Sequence, residues 1–307
     1  MARAGPAGDD GGMGASADAG HALAAQGRTP CLPEPTGPSP VGTTSLWLTD
    51  ISRPDPWAAE VRARELMVSL WYPATASHGQ RAQYMTPEES ELQLTSRGIT
   101  GVPPDTLSTT RTNAVSDAMP AGRQRELPLV VLSPGFTNSR GTLTALAEDL
   151  ASYGYVVAGI DHTYESYATA FPDGRVTTCL AREARRRGSG SQEQVAAGRA
   201  ADVSFVLGEL TGAHPAWPGA GLINPSRMGM AGHSAGGAAA IAAMLADSRI
   251  RAGIDTIRRL TTRLRAAGRA ALRGRPSGRG RAAPRRPGAP RRGRRAGPGG
   301  ARGRRRR

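Results

Sequence analysis

Lysine is absent from this 307-residue sequence, and cysteine and histidine are scarce. Because a P-loop places a lysine on the nucleotide phosphates, the absence of lysine excludes that class of nucleotide-binding site. The two cysteines, Cys31 and Cys179, and the five histidines lack the spacing of a metal site, so we expect no metal and no cofactor. We predict two free thiols, with a single disulfide as the alternative.

Long apolar runs and a signal peptide are also missing. The most apolar stretch, residues 236–246, is far shorter than the roughly 18 residues that a membrane-spanning helix needs. Asp9 and Asp10 stand where a signal peptide would carry its positive and apolar regions. The sequence therefore predicts no transmembrane segment and leaves the compartment open, with the cytoplasm as the default.

Acidic residues are absent after Asp255, and this divides the chain by charge. The first 255 residues carry 20 arginines and 25 acids, a net charge of −5, whereas the last 52 carry 20 arginines and no acid. A GC-rich gene read out of frame near codon 256 would give such an Arg/Gly/Ala/Pro composition. The competing interpretation is an arm, residues 256–307, that binds nucleic acid or another polyanion non-specifically.

Three segments follow from composition. Residues 1–40 have almost nothing to bury and are predicted to be disordered, residues 41–255 form the folded domain, and residues 256–307 form a disordered tail. Within the domain, residues 43–48 and 64–72 predict two antiparallel strands. Residues 75–126 are polar and predict a long surface excursion with one helix at 87–96.

Strand and helix patterns alternate from Leu127 onward. Short apolar runs predict buried strands at 127–132, 155–160 and 249–254, and periodic apolar residues predict helices at 142–153 and 192–210. The arginine-rich run at 182–187 is predicted to be a solvated loop. This order predicts an α/β fold with a doubly wound, mostly parallel sheet.

The pattern G-x-S-x-G lies at residues 232–236, between a short apolar run and an alanine-rich run. A turn from strand to helix that sharp needs glycine at both ends, here Gly232 and Gly236, and it exposes the central hydroxyl at a helix N-terminus. The pattern predicts Ser234 as a nucleophile. The alternative is an alanine-glycine helix with an incidental serine.

Acyl transfer also needs donors for the oxyanion, a base and an acid. We expect the amides of Ala235 and Phe136 to be the donors, with a simple core aromatic as the alternative for Phe136. No histidine follows Ser234, although the fold orders its triad as serine, acid and histidine. His233 adjoins the nucleophile and is expected to have a packing role. His162 ends a strand at the edge of the sheet where a site is expected, but it precedes Ser234 in the chain and is therefore a weak candidate base. His21, His78 and His214 are expected to be exposed.

Several segments resemble the platelet-activating factor acetylhydrolase family of the plasma and intracellular isoform II type. They are PVGTTSLWLTD from Pro40, RELMVSLWYPA from Arg64, LPLVVLSPGF from Leu127, LASYGYVVAGIDH from Leu150, GHSAGG from Gly232 and DSRIRAGID from Asp247. The resemblance covers about residues 40–255. It implies an α/β-hydrolase and a serine esterase that removes short acyl groups from phospholipid-like esters without a metal.

The resemblance carries Ser234, Phe136 and Ala235 over to the family's nucleophile and oxyanion donors. The family's acid lies in a segment like G-I-D-x-D-G, of which this chain keeps Asp255 but has Ile257 at the second aspartate. Asp255 is therefore a weak candidate acid, and the family's histidine has no counterpart. We expect a hydrolase fold without its last strands, a bare strand edge at residues 249–254 and little turnover. The alternatives are a cutinase-like polyester hydrolase and a nucleic-acid-binding protein.

Overall fold

A computed structural model describes residues 29–256, and an eight-stranded sheet runs through them in the order β10-β9-β5-β6-β2-β1-β4-β3. Its strands are β1 (Val41–Asp50), β2 (Arg64–Pro73), β3 (Arg81–Gln83), β4 (Arg111–Ser116), β5 (Leu127–Ser133), β6 (Val156–His162), β9 (Ile223–Gly232) and β10 (Ile250–Asp255). A separate hairpin is formed by β7 (Thr169–Ala170) and β8 (Val176–Thr177).

Five α-helices accompany these strands in the described part of the chain. They are α1 (Pro87–Ser96), α2 (Thr144–Ser152), α3 (Leu180–Arg186), α4 (Gln192–Thr211) and α5 (Ala235–Ala246). None of the helices within residues 29–256 has both the length and the apolar character needed to span a membrane.

The neighbours β6, β5, β9 and β10 are parallel, whereas β2 is antiparallel to both β6 and β1. This confirms the predicted α/β-hydrolase class and the antiparallel pairing of the two early strands. The carboxyl ends of β5, β6, β9 and β10 meet at one edge of the sheet, where an open α/β sheet places its ligand site.

Apolar side chains cover both faces of the sheet. On one face, α4 buries Val203, Val206 and Leu207 against β5 and β6. On the other face, Ala147 and Ala151 of α2 pack in the cluster that includes Trp71. Each fully buried valine or leucine contributes roughly 1.5–3 kcal/mol relative to exposure. Helices on both faces therefore hold the strand ends rigidly.

Residues 29–40 differ from the prediction of a disordered segment. Cys31 forms an isolated parallel β-bridge with Arg111. Thr36 donates from its amide and its hydroxyl to Asp149 Oδ1, both at 2.8 Å. The Gly37 amide donates to Ser152 Oγ at 2.9 Å. The segment is held by polar contacts, which its low hydropathy does not reveal. Residues 1–28 and 257–307, including most of the predicted tail, lie outside the described residues.

Two further segments differ in detail from the sequence predictions. The helix predicted at residues 87–96 is confirmed as α1, but the surrounding polar excursion also contains β3 and β4. The arginine-rich run was predicted to be a loop, and this was wrong, because residues 180–186 form α3. Edge strand β10 pairs with β9 on one side within the described residues.

Candidate active site

Ser234 occupies a strained turn between β9 and α5. Its backbone has φ 54° and ψ −109°, and its side chain is exposed. A non-glycine residue in such a conformation costs on the order of 1–3 kcal/mol, and such strain is concentrated at functional sites. The turn therefore has the geometry that the G-x-S-x-G pattern predicted.

The two flanking glycines are required by close backbone packing. A Cβ on Gly232 would lie 2.1 Å from the carbonyl carbon of Gly236. A Cβ on Gly236 would lie 2.0 Å from the carbonyl oxygen of Ser133, the last residue of β5. No side chain fits at either position, so the serine turn is packed directly onto the end of β5.

Residues 134–137 follow β5 and are called here the β5 loop. The His233 amide donates to the Ser133 carbonyl at 3.2 Å, and a Cβ on Gly135 would lie 2.6 Å from His233 Nδ1. His233 thus packs against the β5 loop, in keeping with its expected role. Phe136 is half-buried, and the Arg185 guanidinium lies 4.9 Å from its ring centroid.

The two amides expected to meet an oxyanion are differently placed. Ala235 is the first residue of α5, so its amide is one of the N-terminal donors that have no acceptor within a helix. In the β5 loop, the Thr137 amide donates to the Glu165 carbonyl at 2.9 Å. The structure records no acceptor for the Phe136 amide among the described residues. Both amides are therefore compatible with the expected donor role.

Asp255 lies at the same edge of the sheet as the serine turn. It ends β10 opposite Gly232, and a Cβ on Gly237 in the first turn of α5 would lie 2.0 Å from Asp255 Oδ1. The structure thus brings Asp255 to the helix that begins after Ser234. Ile257, where the resembling family has its second aspartate, lies outside the described residues.

The histidines do not complete a triad with Ser234 in residues 29–256. His78 and His214 are exposed in loops, as expected, and His21 lies outside the described residues. His233 contacts the β5 loop, and His162 is buried with both ring nitrogens in hydrogen bonds to other residues. None of the described histidines forms a recorded hydrogen bond with the Ser234 hydroxyl.

A buried polar cluster beneath the site was missed by sequence reasoning. His162 Nε2 lies 2.9 Å from Ser133 Oγ, and His162 Nδ1 lies 2.8 Å from Asp202 Oδ2. Asp202 also accepts from Arg64 Nη2 at 2.9 Å. A signal was present, because Arg199 and Asp202 interrupt the apolar face of α4, and polar residues on a buried helix face need buried partners.

Comparison with known proteins agrees with this architecture. Residues 25–179, about half of the chain, match the family model described as platelet-activating factor acetylhydrolase, isoform II. The chain belongs to this family. A family match of this extent makes it a relative of carboxylic ester hydrolases, in line with the resemblance read from the sequence.

One curated protein and one solved structure show the similarity of this acetylhydrolase-family chain to known esterases. A probable 1-alkyl-2-acetylglycerophosphocholine esterase of Arthroderma benhamiae is 29% identical over 240 residues, which cover 73% of this chain and 58% of that protein. A solved ferulic acid esterase from Streptomyces cinnamoneus is 44% identical with a TM-score of 0.61, covering 72% of this chain and 60% of that one. The acetylhydrolase-family chain therefore spans less than two thirds of the length of either relative.

Residues 29–256 contain no group of three histidine, cysteine or carboxylate side chains arranged to hold a metal ion. The chemistry available at the serine turn is that of a hydroxyl, backbone amides and carboxylates.

Proposed function

We propose that this chain is a serine ester hydrolase that removes short acyl groups, acetyl above all, from phospholipid-like esters. The observation that carries the proposal is the exposed, strained Ser234 at the N-terminus of α5, in a turn that Gly236 packs onto the end of β5. The names of the two relatives support it, since one is a probable acetylglycerophosphocholine esterase and the other a ferulic acid esterase. Both names denote cleavage of a carboxylic ester.

In the proposed reaction, Ser234 Oγ attacks the ester carbonyl carbon and the negative charge moves to the carbonyl oxygen. The amides of Ala235 and Phe136 and the N-terminus of α5 stabilise that oxyanion. The tetrahedral intermediate collapses, the alcohol leaves with a proton, and an acyl-serine remains. Water then cleaves the acyl-serine to release the carboxylic acid and restore the hydroxyl.

Proton transfer limits this sequence of steps. Within residues 29–256 no imidazole is hydrogen-bonded to the Ser234 hydroxyl, and both ring nitrogens of buried His162 are engaged elsewhere, so in the proposed reaction the hydroxyl proton passes to solvent. Loss of triad function lowers kcat by up to about 10⁶, and the oxyanion site and substrate binding retain roughly 10³–10⁴ over water. We therefore expect slow acylation and little turnover.

Covalent labelling tests the nucleophile without requiring turnover. A fluorophosphonate in excess should slowly add one adduct per chain, because phosphonylation lacks the same base as acylation, and the modified peptide should contain Ser234. Ser234→Ala should abolish the adduct, whereas Ser226→Ala, an exposed serine on the same strand β9, should leave it unchanged. Slow release of p-nitrophenol from p-nitrophenyl acetate should show the same dependence. Absent labelling, or labelling that survives Ser234→Ala, would refute the proposal.

The comparisons favour neither alternative, a cutinase-like polyester hydrolase or a nucleic-acid-binding protein. The second alternative depends on residues 256–307, of which all but Thr256 lie outside the described residues.

A further inference from the structure

A buried serine, histidine and aspartate are aligned directly below the turn that carries Ser234. Ser133, His162 and Asp202 are joined by hydrogen bonds of 2.9 and 2.8 Å in the order that a catalytic triad uses. Ser133, however, is completely buried (0% exposed) and ends a regular strand, so an ester cannot reach its hydroxyl. The alignment therefore calls for a role other than nucleophilic attack.

The charges around His162 determine the direction of these hydrogen bonds. Burial, together with the neighbouring Arg199, lowers the pKa of His162 despite its bond to Asp202. Burial by itself would raise the pKa of Asp202, but Arg64 and His162 outweigh it and hold that pKa well below its usual range. A neutral imidazole therefore donates from Nδ1 to a charged Asp202. Its Nε2 accepts the Ser133 proton, which leaves the Ser133 oxygen free to accept.

Arg199 connects this cluster to the β5 loop. Its Nη1 donates to Ser133 Oγ at 3.2 Å and to the Pro134 carbonyl at 2.5 Å. Its Nε donates to Glu165 Oε2 at 2.7 Å, and the Arg199 side chain is only 1% exposed. The guanidinium thus joins the first residue of the β5 loop to a carboxylate in the segment that follows β6.

Glu165 holds the other end of the same loop. Its backbone carbonyl accepts the Thr137 amide at 2.9 Å, and its Oε1 accepts from Trp57 Nε1 at 3.0 Å. Thr137 has φ 71°, a strained value that persists only where surrounding contacts enforce it. Pro134 and Thr137 are therefore both fixed, and Phe136 lies between them.

We propose that Arg199, supported by Ser133, His162, Asp202 and Glu165, is a positioning residue that fixes the Phe136 amide where it meets the oxyanion. This inference rests on the proposed function. Oxyanion donors act only when they are held in place before the charge develops, and the loss of one costs about 10²–10³ in kcat. Displacement by about 1 Å costs on the order of 10²-fold.

The decisive variant is Arg199→Lys, measured on the full-length chain. A lysine keeps the charge, but its ammonium cannot reproduce the planar guanidinium that reaches Glu165, Ser133 and Pro134 together. Arg175→Lys is the matched control, because Arg175 is exposed and pairs with Glu65 and Asp173 away from the β5 loop. Ser133→Ala is a second, smaller change that removes only the hydroxyl that accepts from Arg199 and donates to His162.

Two readouts separate positioning from general loss of structure. Hydrogen–deuterium exchange of the amides in residues 135–138 should rise at least tenfold in Arg199→Lys and to a lesser degree in Ser133→Ala. Fluorophosphonate labelling of Ser234 should lose about 10- to 100-fold in its maximal rate constant, while the concentration giving half-maximal rate changes less than threefold. Arg175→Lys should match the wild type in both.

Each outcome decides the inference. Unchanged exchange in residues 135–138, in variants with native circular dichroism, would overturn it, as would faster exchange with an unchanged labelling rate. If Arg199→Lys does not fold, Ser133→Ala carries the same comparison. If the wild type is not labelled at all, the proposed function fails by itself, and the link between Arg199 and the β5 loop is then judged from exchange alone.

Discussion

Gly236→Ala should damage both the fold and the site, because its methyl group would enter the end of β5. The added Cβ would lie 2.0 Å from the Ser133 carbonyl oxygen and 2.9 Å from that of Pro134. Contact distances between non-bonded atoms are about 3.5–4.0 Å, so the backbone has to separate by more than roughly 1 Å. Overpacking of this kind costs about 1–3 kcal/mol of unfolding free energy.

Gly198→Ala is the matched substitution. Gly198 lies within helix α4, and a Cβ there would meet no atom within 4 Å. Alanine is favoured over glycine in a helix interior by about 1 kcal/mol, so this variant should be more stable than the wild type. The same chemical change should thus move stability in opposite directions, and the two variants should differ by roughly 2–4 kcal/mol.

Urea unfolding followed by circular dichroism measures the difference, and fluorophosphonate labelling reports on the site. Gly236→Ala should unfold at lower urea and label Ser234 at least tenfold more slowly, whereas Gly198→Ala should unfold at higher urea and label normally. If Gly236→Ala unfolds at the wild-type midpoint and labels at the wild-type rate, the serine turn does not pack onto β5 as described.

Three further substitutions or modifications test single features. Ser234→Gly should abolish labelling and still raise stability by about 1 kcal/mol, since glycine relieves the strained φ; an earlier urea midpoint would contradict this. Asp202→Asn should lower the free energy of unfolding by about 3–5 kcal/mol at pH 7, because Arg64 and Arg53 each lose a carboxylate partner and buried Arg64 keeps only Asp55. The lowered pKa of Asp202 means that its stabilisation is present above the unfolded pKa of about 4 and is lost as pH falls. The difference in unfolding free energy between the wild type and Asp202→Asn should therefore narrow by roughly 1.4 kcal/mol per pH unit below pH 4. An equal difference at pH 7 and pH 3 would contradict this prediction. Burial raises the pKa of Cys179 to about 11, so a thiol titration of the folded chain at pH 8 should find one reactive thiol, the exposed Cys31. Two rapidly reacting thiols would show that Cys179 is accessible.

The parallel half of the sheet was predictable because its signals are local. The apolar run that begins at Leu127 and the glycines around Ser234 each specify their conformation within a few residues. The edge at which Ser234, Phe136 and Asp255 meet follows from the parallel pairing of β5, β9 and β10. The roles assigned to these residues stay predictions that the labelling experiments test.

Strand β4 was not predictable because a distant side chain replaces part of its pairing. Its sequence RTNAVS is short and polar, and the amides of Asn113 and Ala114 donate to Glu148 Oε1 at 3.0 and 2.8 Å. Glu148 belongs to α2 and is completely buried. A partner more than 30 residues away leaves no periodic pattern in the strand itself.

The cluster around Arg199 was out of reach for a similar reason. Arg199 and Asp202 are visible as polar residues on an apolar helix face, but their partners Ser133, His162 and Arg64 come from three different strands. Only the assembled sheet brings these side chains together. The sequence alone reveals two polar residues on an apolar helix face, but not the residues with which they pair.

The hydrogen bonds made by residues 29–40 determine where the folded part of this protein can be cut or fused. A fusion partner or protease site placed at Val41, where hydropathy rises, would strip Thr36 and Gly37 from helix α2 and uncover the Ser152 hydroxyl and the Asp149 carboxylate. Joining it ahead of Thr29 would leave that docking intact.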